Sequence, residues 1–316
     1  MSAKIIIPDF LKGKFCEYRR YTKHYAKSFY FSSFALPKDK RNAAYAIYSF
    51  CRFADNITDV TGYESSEYLG DKIKRLRALL SEVYRQAETD SKNISDFTAT
   101  IRRYDIPKAY FDDLIDGVSA DISKKRYATY SELDEYCYKV ASVVGLIMTR
   151  VFGYSTDDAF THAINLGKAM QLTNIIRDIS DDYSMGRIYI PEEEMRTFGY
   201  TEKDLKNRII NDNFRNLMKH QIARARNYYT SANKGIGFLT NDGSRSTVKM
   251  MSKIYAGILD EIESKNYDVF SKRHYVSTTK KIAMSASLFL IRILSARRFK
   301  HIGFVSESAV NSPEYT

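Results

Sequence analysis

The chain has little of several residue types, and each shortage removes a class of protein from consideration. Tryptophan is absent, proline occurs only 5 times, and the 3 cysteines are scattered without a CxxC pair. This pattern gives no disulfide framework and favours a reducing intracellular compartment. The 5 histidines are dispersed as well, and neither an HExxH nor a P-loop pattern is present. Scarce proline and the lack of a Gly- or Ser-rich linker predict a single domain over residues 1–316, with a core from about 15 to 300.

Long hydrophobic runs are also missing. The first ten residues, MSAKIIIPDF, contain an apolar run too short for a signal peptide. Residues 282–294 are apolar but include Arg292, and a membrane-spanning helix needs about 20 apolar residues, so we expect a final core helix there. Three basic residues follow this segment: Arg297, Arg298 and Lys300. We therefore expect a cytoplasmic protein, with peripheral contact at a membrane surface left open.

Positive charge exceeds negative charge in this sequence. Lys and Arg total 49 against 38 Asp and Glu, which gives a net charge of +11. A basic protein attracts anions such as nucleic acid, anionic lipid headgroups or phosphorylated substrates. Because no dense basic run is interleaved with aromatic residues, nucleic acid is the weakest of these partners, and no nucleic-acid partner is expected.

The hydrophobic pattern predicts helices and no strands. Hydrophobic residues make up 44% of the chain, which is enough for a sizeable core, and no alternating apolar–polar run of any length occurs. We therefore predict an all-α fold, a helical bundle around a central cavity. Its first two helices are predicted over Phe15–Phe34 and Asp39–Val60.

One pair of aspartates lies in the second of these helices. Asp55 and Asp59 are four residues apart, and Arg52 stands one turn before Asp55. The surrounding residues are apolar on nearly every side, which predicts a buried helix. Charged side chains inside such a helix must be paired or must bind a cation. This is the strongest physical argument that these acids are functional.

A second pair occupies the stretch QLTNIIRDISDDYSMGRIYIP, from Gln171 to Pro191. On one helix, four polar side chains of this stretch would share a face: Gln171, Asn174, Asp178 and Asp182. Two like charges at this spacing repel by about 0.2–0.5 kcal/mol, and a divalent cation reverses that sign. Mg²⁺ suits such a face, because it takes a few carboxylate oxygens together with phosphate oxygens of a substrate, and Mn²⁺ is the alternative. A lone acid pair is more often a solvated face, but two pairs, each with an arginine, favour a functional interpretation.

With these motifs the chain resembles the squalene/phytoene synthase family, the head-to-head prenyl synthases. The family's two aspartate-rich signatures are matched by the two acid motifs, the second of which continues into GRIYIP. Three further segments fit: YAKSFY from Tyr25, YCYKVA from Tyr136, and ILDEI from Ile258 continuing to Arg273. The resemblance covers residues 20–290. It implies the isoprenoid synthase-type helical bundle.

The resemblance also implies roles for individual residues. The residues that it implies for catalysis are Asp55, Asp59, Asp178, Asp182, Tyr48 and Tyr136. Those that it implies for substrate binding are Lys27, Ser28, Arg52, Gln171, Asn174, Arg177, Tyr255 and Arg273. The implied ligands of the metal are Asp55, Asp59, Asn174, Asp178 and Asp182. In this scheme arginines hold a diphosphate, and tyrosine ring faces stabilise an allylic cation.

The reaction that the resemblance implies is the joining of two identical allylic diphosphates through a cyclopropyl diphosphate. The patterns GRIYIP and ILDEIESKNYDVFSKRHYV look most like the phytoene-forming members, and Ser33 is small where a bulky aromatic would shorten the tail pocket. Geranylgeranyl diphosphate is therefore favoured over farnesyl diphosphate, and NADPH is not expected. Three alternatives stay open: a C15-using dehydrosqualene or squalene synthase, a non-catalytic family member acting in assembly or at a membrane, and a basic membrane- or nucleic-acid-binding helical protein.

Overall fold

The computed structural model describes residues 14–58, 65–89 and 94–284. These residues form helices and turns, with two isolated bridges, Arg126–Ile188 and Tyr154–Leu239, and no strand within the described ranges. The predicted all-α fold is confirmed. The helices are α1 (Phe15–Tyr25), α2 (Lys27–Ser32), α3 (Lys38–Thr58), α4 (Ser66–Ala87), α5 (Asp96–Arg103), α6 (Lys108–Ser123), α7 (Tyr130–Cys137), α8 (Val143–Phe152), α9 (Asp158–Arg177), α10 (Ile179–Ser184), α11 (Glu192–Thr197), α12 (Glu202–Lys206), α13 (Asp212–Lys234) and α14 (Ser244–Ser264).

The chain divides after Tyr275 into two compact units. In the second unit the described residues are 276–284, of which 278–284 are helical. The prediction of one domain over residues 1–316 stays a prediction. The final core helix and basic residues predicted beyond residue 284 lie outside the described ranges. Within those ranges, no helix combines the length and the apolar character that a membrane crossing requires.

Helix α3 is buried because small and apolar residues occupy most of its surface. It packs against α1, α4, α5, α6 and α8. Phe50 is fully buried, and its ring stacks on Phe97 at 5.3 Å and meets the edge of Phe111 at 4.9 Å. Burying each such side chain stabilises the fold by about 1.5–3 kcal/mol. The aspartate motif at the end of α3 is therefore carried by a helix whose position is fixed by packing.

Helix α9 is the second central element, and it packs against α8, α13 and α14. A π-helical turn, Tyr138–Ser142, joins α7 to α8 and lies against α9. Gly167 of α9 permits this contact, because a Cβ there would come within 2.5 Å of the Cα of Ser142. Such turns are uncommon inside helices and are frequent near functional sites.

The single helix predicted over Phe15–Phe34 is wrong. The chain leaves the helical conformation at Ala26 (φ −130°, ψ 61°), which separates α1 from α2, and a 3-10 turn at Ser33–Ala35 follows. The two segments have different partners, since α1 packs on α3 and α2 packs on α14. Neither glycine nor proline marks the break, so tertiary packing and not local sequence decides it.

Candidate active site

The first acid motif stands on the exposed side of the last turns of α3. Arg52 Nη1 donates to Asp55 Oδ2 at 2.6 Å, and the Arg52 guanidinium lies 5.9 Å from the centre of the Tyr25 ring. Tyr48 is one turn earlier and half-buried. Asp59, the second acid of the motif, lies outside the described residues. The described part of the motif is thus a carboxylate held by an arginine near solvent.

The second acid motif was predicted to lie on one continuous helix, but the structure divides it between two helices. Helix α9 ends at Arg177, and Asp178 departs from helical geometry (φ −102°, ψ 14°) before α10 begins. Asp182 N still donates to Asp178 O at 2.8 Å, so the two acids remain one turn apart. Earlier in the motif, Asn174 Nδ2 donates to Gln171 Oε1 at 3.4 Å, which places both amides on one face.

The break in the helix is held by the Asp178 carboxylate. Arg177 Nε donates to Asp178 Oδ1 at 2.7 Å, and Arg177 Nη2 donates to Oδ2 at 2.5 Å. Such a two-bond arginine–carboxylate contact has a fixed geometry and is among the stronger polar contacts in proteins. The contact turns the Asp178 side chain toward Arg177, the residue directly before it.

A second arginine reaches the same carboxylate from the far end of the chain. Arg273 Nη2 donates to Asp178 Oδ2 at 2.7 Å. The loop that presents Arg273 is built on Asp268, whose Oδ1 accepts the N–H groups of Phe270 and Ser271, while its carbonyl contacts the buried His274 ring at 2.5 Å. One carboxylate thus faces two guanidinium groups, and the excess positive charge favours an anion at this position.

Two tyrosines connect the two acid motifs. Burial raises the pKa of Tyr48, and the nearby phenol of Tyr255 and carboxylate of Asp55 raise it further. Burial likewise raises the pKa of Tyr255, where Arg177 acts in the opposite direction and Asp178 adds to the rise. The two phenols therefore interact with each other and with one acid motif each, so both motifs border the same buried region.

Lys27 and Ser28 lie in the first turn of α2, beside this region. The neighbouring Phe29 ring is 5.7 Å from the Tyr48 ring. Lys27 is exposed and Ser28 is half-buried, with the Ser28 carbonyl accepting a hydrogen bond from Ser32 Oγ at 2.9 Å. The structure thus brings α2 next to the first acid motif.

Tyr136 lies in a separate, fully buried group. Its hydroxyl donates to Asp121 Oδ2 at 2.8 Å, and the hydroxyl of Tyr189 donates to Asp121 Oδ1 at 2.9 Å. The two phenol oxygens are 3.3 Å apart, and their rings stack at 5.1 Å. Asp121, Tyr136 and Tyr189 are called the tyrosine–aspartate cluster below.

Sequence reasoning missed Asp121 and gave Tyr189 no role. A signal for Asp121 was present: it continues the apolar series of α6 that runs through Leu114 and Val118, where another apolar residue would be expected. A carboxylate in the apolar stripe of an amphipathic helix predicts a buried acid with polar partners. Tyr189 carried no comparable signal, because an aromatic residue in an apolar segment fits ordinary packing.

Arg187 joins the end of the first motif to the second. It is buried, and its Nη2 donates to the carbonyl of Thr58, the last residue of α3, at 2.8 Å. Its own backbone N–H donates to the carbonyl of Asp182 at 2.9 Å. Since Thr58 directly precedes Asp59 in sequence, this contact ties the chain of one acid motif to the chain of the other.

The donor set fits a magnesium ion in kind. Among residues 14–58, 65–89 and 94–284, no three acids, histidines or cysteines are grouped closely enough to hold a metal by themselves. Mg²⁺ does not need such a cage, since it binds through one or two carboxylates, waters and substrate phosphates. Asp55 and Asp178 offer hard oxygen ligands of this type, and both are already engaged in charge pairing.

A cleft of about 160 Å³ opens between α3 and α4, lined by Phe53, Asn56, Ile57, Lys72, Arg75, Leu76 and Leu79. It contains none of the predicted site residues. Among the described residues, its one connection with the predicted site is that it lies next to the first acid motif.

Known proteins are similar to this chain in sequence and in fold. The squalene/phytoene synthase family matches residues 22–280, which is most of the chain. The chain belongs to this family. The predicted resemblance is thereby confirmed, and with it the assignment to a prenyl-transferring enzyme.

Curated members of the family include similar sequences. The chain is 37% identical over 276 residues to the 15-cis-phytoene synthase of Synechocystis sp., covering 84% of this chain and 81% of the relative. It is 38% identical over 277 residues to the phytoene synthase of Arthrospira platensis, covering 84% of this chain and 88% of the relative.

Solved structures agree in fold. A dehydrosqualene synthase in complex with a ligand has a TM-score of 0.79 at 28% identity, covering 88% of this chain and 95% of that one. A squalene synthase from Alicyclobacillus acidocaldarius has a TM-score of 0.72 at 25% identity, covering 83% of this chain and 97% of that one. The isoprenoid synthase-type bundle is therefore confirmed.

Proposed function

We propose that the chain joins two molecules of geranylgeranyl diphosphate head to head, through a cyclopropyl diphosphate, to give phytoene. The observation that carries this proposal is the contact between the two acid-and-arginine motifs, in which buried Arg187, beside the second motif, donates to the Thr58 carbonyl at the end of the first. A charged end beside a buried aromatic region suits a substrate with an anionic head and an apolar tail. The names of the similar phytoene synthases support the C20 substrate.

The basic side chains bind the diphosphate groups. Arg52, Arg177, Arg273 and Lys27 supply the positive charge. Arg273 is 43% exposed and makes its hydrogen bond at the edge of the pair, so it can turn from Asp178 to a diphosphate oxygen at small cost. Arg177 is almost buried against Asp178, and it therefore holds the geometry of the site while the substrate enters.

The acids of both motifs would hold Mg²⁺, with Mn²⁺ as the alternative. The ligands would be Asp55, Asp59, Asn174, Asp178 and Asp182. Bound there, the ion would neutralise charge on the diphosphate oxygens. The arginines add donors to the same oxygens and orient the leaving group.

The tyrosines serve the allylic cation. Burial keeps the phenols of Tyr48 and Tyr255 neutral at pH 7, because it raises the pKa of each. Neutral rings present electron-rich faces, each of which stabilises a cation by about 0.5–2 kcal/mol. Exclusion of water protects the cation from capture. Each turnover releases two pyrophosphates and two protons, and no reduction occurs, so NADPH is not required.

Two alternatives have support of their own. The solved dehydrosqualene synthase supports a C15 substrate. Ser33 does not decide between the two, because it is fully buried and its hydroxyl bonds Tyr45 Oη and the Tyr30 carbonyl, both at 2.7 Å, so packing alone explains its size. A non-catalytic member is disfavoured by the complete set of acids and arginines in the sequence.

The deciding experiment supplies purified protein with geranylgeranyl or farnesyl diphosphate and Mg²⁺, without and with NADPH. Mass spectrometry identifies the hydrocarbon, and pyrophosphate release is measured in parallel. We expect a C40 hydrocarbon that forms without NADPH. A C30 product would assign the C15 reaction instead, and no product with no pyrophosphate release would favour the non-catalytic member.

Peripheral contact with a membrane surface is part of the proposal, for a protein of the cytoplasm. A C40 hydrocarbon is insoluble in water, and a chain of net charge +11 is attracted to anionic lipid. Flotation with anionic and neutral vesicles at low and high salt tests this. Binding to anionic vesicles that weakens with salt is expected, and absence of binding to both would contradict it.

A further inference from the structure

The tyrosine–aspartate cluster joins three separate parts of the chain at one carboxylate. Asp121 comes from α6, Tyr136 from α7, and Tyr189 from the segment after α10. Asp121 is only 5% exposed. Each of its oxygens accepts one phenol hydrogen bond, at 2.8 and 2.9 Å. A buried carboxylate is costly unless it is hydrogen-bonded, and the two phenols contribute to its stability here.

The direction of these hydrogen bonds is fixed. Burial, and after it the charge of Asp121, raises the pKa of both Tyr136 and Tyr189 well above the ordinary tyrosine range. Both phenols therefore keep their protons and donate, while the carboxylate accepts. This arrangement fixes the rotation of each hydroxyl and, through the stacked rings, the plane of each ring.

The cluster adjoins the acid motifs and is not remote from them. The Asp182 carboxylate interacts electrostatically with the Tyr189 phenol. Arg187, two residues before Tyr189, holds the carbonyl of Thr58 at the end of α3. A change in the position of Tyr189 would therefore alter the surroundings of both acid motifs.

We propose that Asp121 is a positioning residue for the reaction: its carboxylate fixes the phenols of Tyr136 and Tyr189 and makes their rings more electron-rich toward a cation. This inference rests on the proposed function, since the cation is that of the prenyl reaction. A charge-assisted hydrogen bond from a phenol to a carboxylate moves electron density onto the phenol. Asp121 acts through the tyrosines and does not itself touch the substrate.

Tyr127 provides a matched control inside the same packing. Its ring lies 5.7 Å from that of Tyr189 and 5.5 Å from that of Tyr136. Its buried hydroxyl makes no hydrogen bond within the described part of the chain. Removing this hydroxyl therefore controls for the loss of a buried phenol oxygen while the ring packing and the hydrogen bonds to the carboxylate stay in place. Asp116, on the same helix as Asp121 but paired with Arg77 at the surface, controls for loss of an acid from α6.

The kinetic experiment compares Asp121→Asn with Tyr127→Phe, Asp116→Asn and wild type. We expect Asp121→Asn to lower kcat by about 10²-fold, the scale seen when one positioned polar group is removed from a site that stabilises charge. KM should stay close to wild type, and both controls should retain wild-type kcat. Wild-type kcat in Asp121→Asn would overturn the proposal.

A double-mutant cycle separates positioning from an independent structural effect. If Asp121 acts through Tyr136 and Tyr189, Asp121→Asn causes no further loss of activity when it is added to the double variant Tyr136→Phe/Tyr189→Phe. Multiplicative losses would overturn the proposal. If Asp121→Asn does not fold, Tyr189→Phe takes its place, because it removes one of the two hydrogen bonds and leaves the charge; it should lower kcat without raising KM, and wild-type kcat in it would again contradict the role.

A spectroscopic readout keeps this test apart from the proposed function. In protein labelled with ¹³C at tyrosine Cζ, Asp121→Asn should shift the Tyr136 and Tyr189 signals, assigned with the phenylalanine variants, by more than that of Tyr127, whose hydroxyl makes no hydrogen bond to the carboxylate. Unmoved Tyr136 and Tyr189 signals would overturn the positioning role. Absence of hydrocarbon from wild type would instead refute the proposed function, whatever the spectra show.

Discussion

Two regions of the molecule use aspartate in opposite ways. At the diphosphate-binding end, Asp178 is 15% exposed and is shared by two guanidinium groups, from Arg177 and Arg273. In the tyrosine–aspartate cluster, Asp121 is more deeply buried and accepts hydrogen bonds from two neutral phenols. Through Arg273, which is 43% exposed, the first arrangement can exchange one cation for another. The second cannot do so readily, because its carboxylate is only 5% exposed and its donors are buried phenols.

The comparison separates contacts that can change during function from contacts that stabilise the fold. A charge pair with one partner near solvent, such as Arg273–Asp178, contributes about 0–1 kcal/mol, so it can break and re-form during binding. A buried acceptor that loses its donor costs about 1–3 kcal/mol. We therefore expect substitutions at the diphosphate end to change activity with little effect on folding, and substitutions around the cluster to change both.

The largest effect is expected for Asp178→Asn. The variant loses the charge that orders Arg177 and Arg273, and with it a carboxylate that the proposed function assigns to the metal. The rate of pyrophosphate release should fall by about 10³-fold, the upper range for removal of one electrostatic contact to a developing charge.

The control is Asp181→Asn, which neutralises an exposed acid in the same short helix. It should release pyrophosphate at the wild-type rate. Equal losses in the two variants would mean that net charge, and not the Asp178 contact, governs the diphosphate end, and the contrast between the regions would fail.

The sequence predicted the helices better than the breaks between them. The apolar surface of α3 and the spacing of both acid pairs are local patterns, so the all-α fold and the family could be inferred. The breaks at Ala26 and Asp178 have no local marker, because the first follows from the different partners of α1 and α2 and the second coincides with the contacts of Asp178 to two arginines. The Asp121 contacts join residues up to 68 positions apart, which periodicity does not reveal.

A second prediction concerns the tight packing next to the cluster. Gly117 lies one turn before Asp121 on α6, and a Cβ there would come within 2.8 Å of both Lys139 Cβ and Val140 Cγ1 in the π-helical turn. Gly117→Ala should therefore lower the free energy of unfolding by about 1–3 kcal/mol, the cost of overpacking. Denaturant unfolding followed by circular dichroism measures it.

The matched variant is Gly70→Ala, in α4, where an added Cβ meets nothing within 4 Å. Alanine is the better helix former, so this change should raise the free energy of unfolding by about 0.5–1 kcal/mol. The same sign in both variants would show that packing around the cluster is looser than the distances indicate.

A third prediction uses pH to isolate the buried region. Burial raises the pKa of Tyr127, with the charge of Asp121 adding to the rise. Because the folded pKa lies above the unfolded value of about 10, the stabilisation is present below pH 10 and is lost as the pH rises beyond it. Tyr127→Phe removes this dependence. Its free energy of unfolding should match wild type at pH 7 and exceed it above pH 10, by up to about 1.4 kcal/mol per pH unit; parallel curves would place Tyr127 in contact with solvent.

The smallest effect is expected for Arg273→Lys. The variant keeps the positive charge but loses the planar donor set that bonds Asp178, so diphosphate affinity should weaken by only about 3–10-fold, within the range of a partly exposed charge pair. KM should rise while kcat and the melting temperature stay near wild type. Lys272→Gln, its exposed neighbour, serves as the control for charge and should leave KM unchanged. A large fall in melting temperature for Arg273→Lys would mean that the Arg273 guanidinium stabilises the helix break at Asp178. The proposed diphosphate end would then resemble the buried cluster, because the fold would depend on each hydrogen-bond donor to its carboxylate.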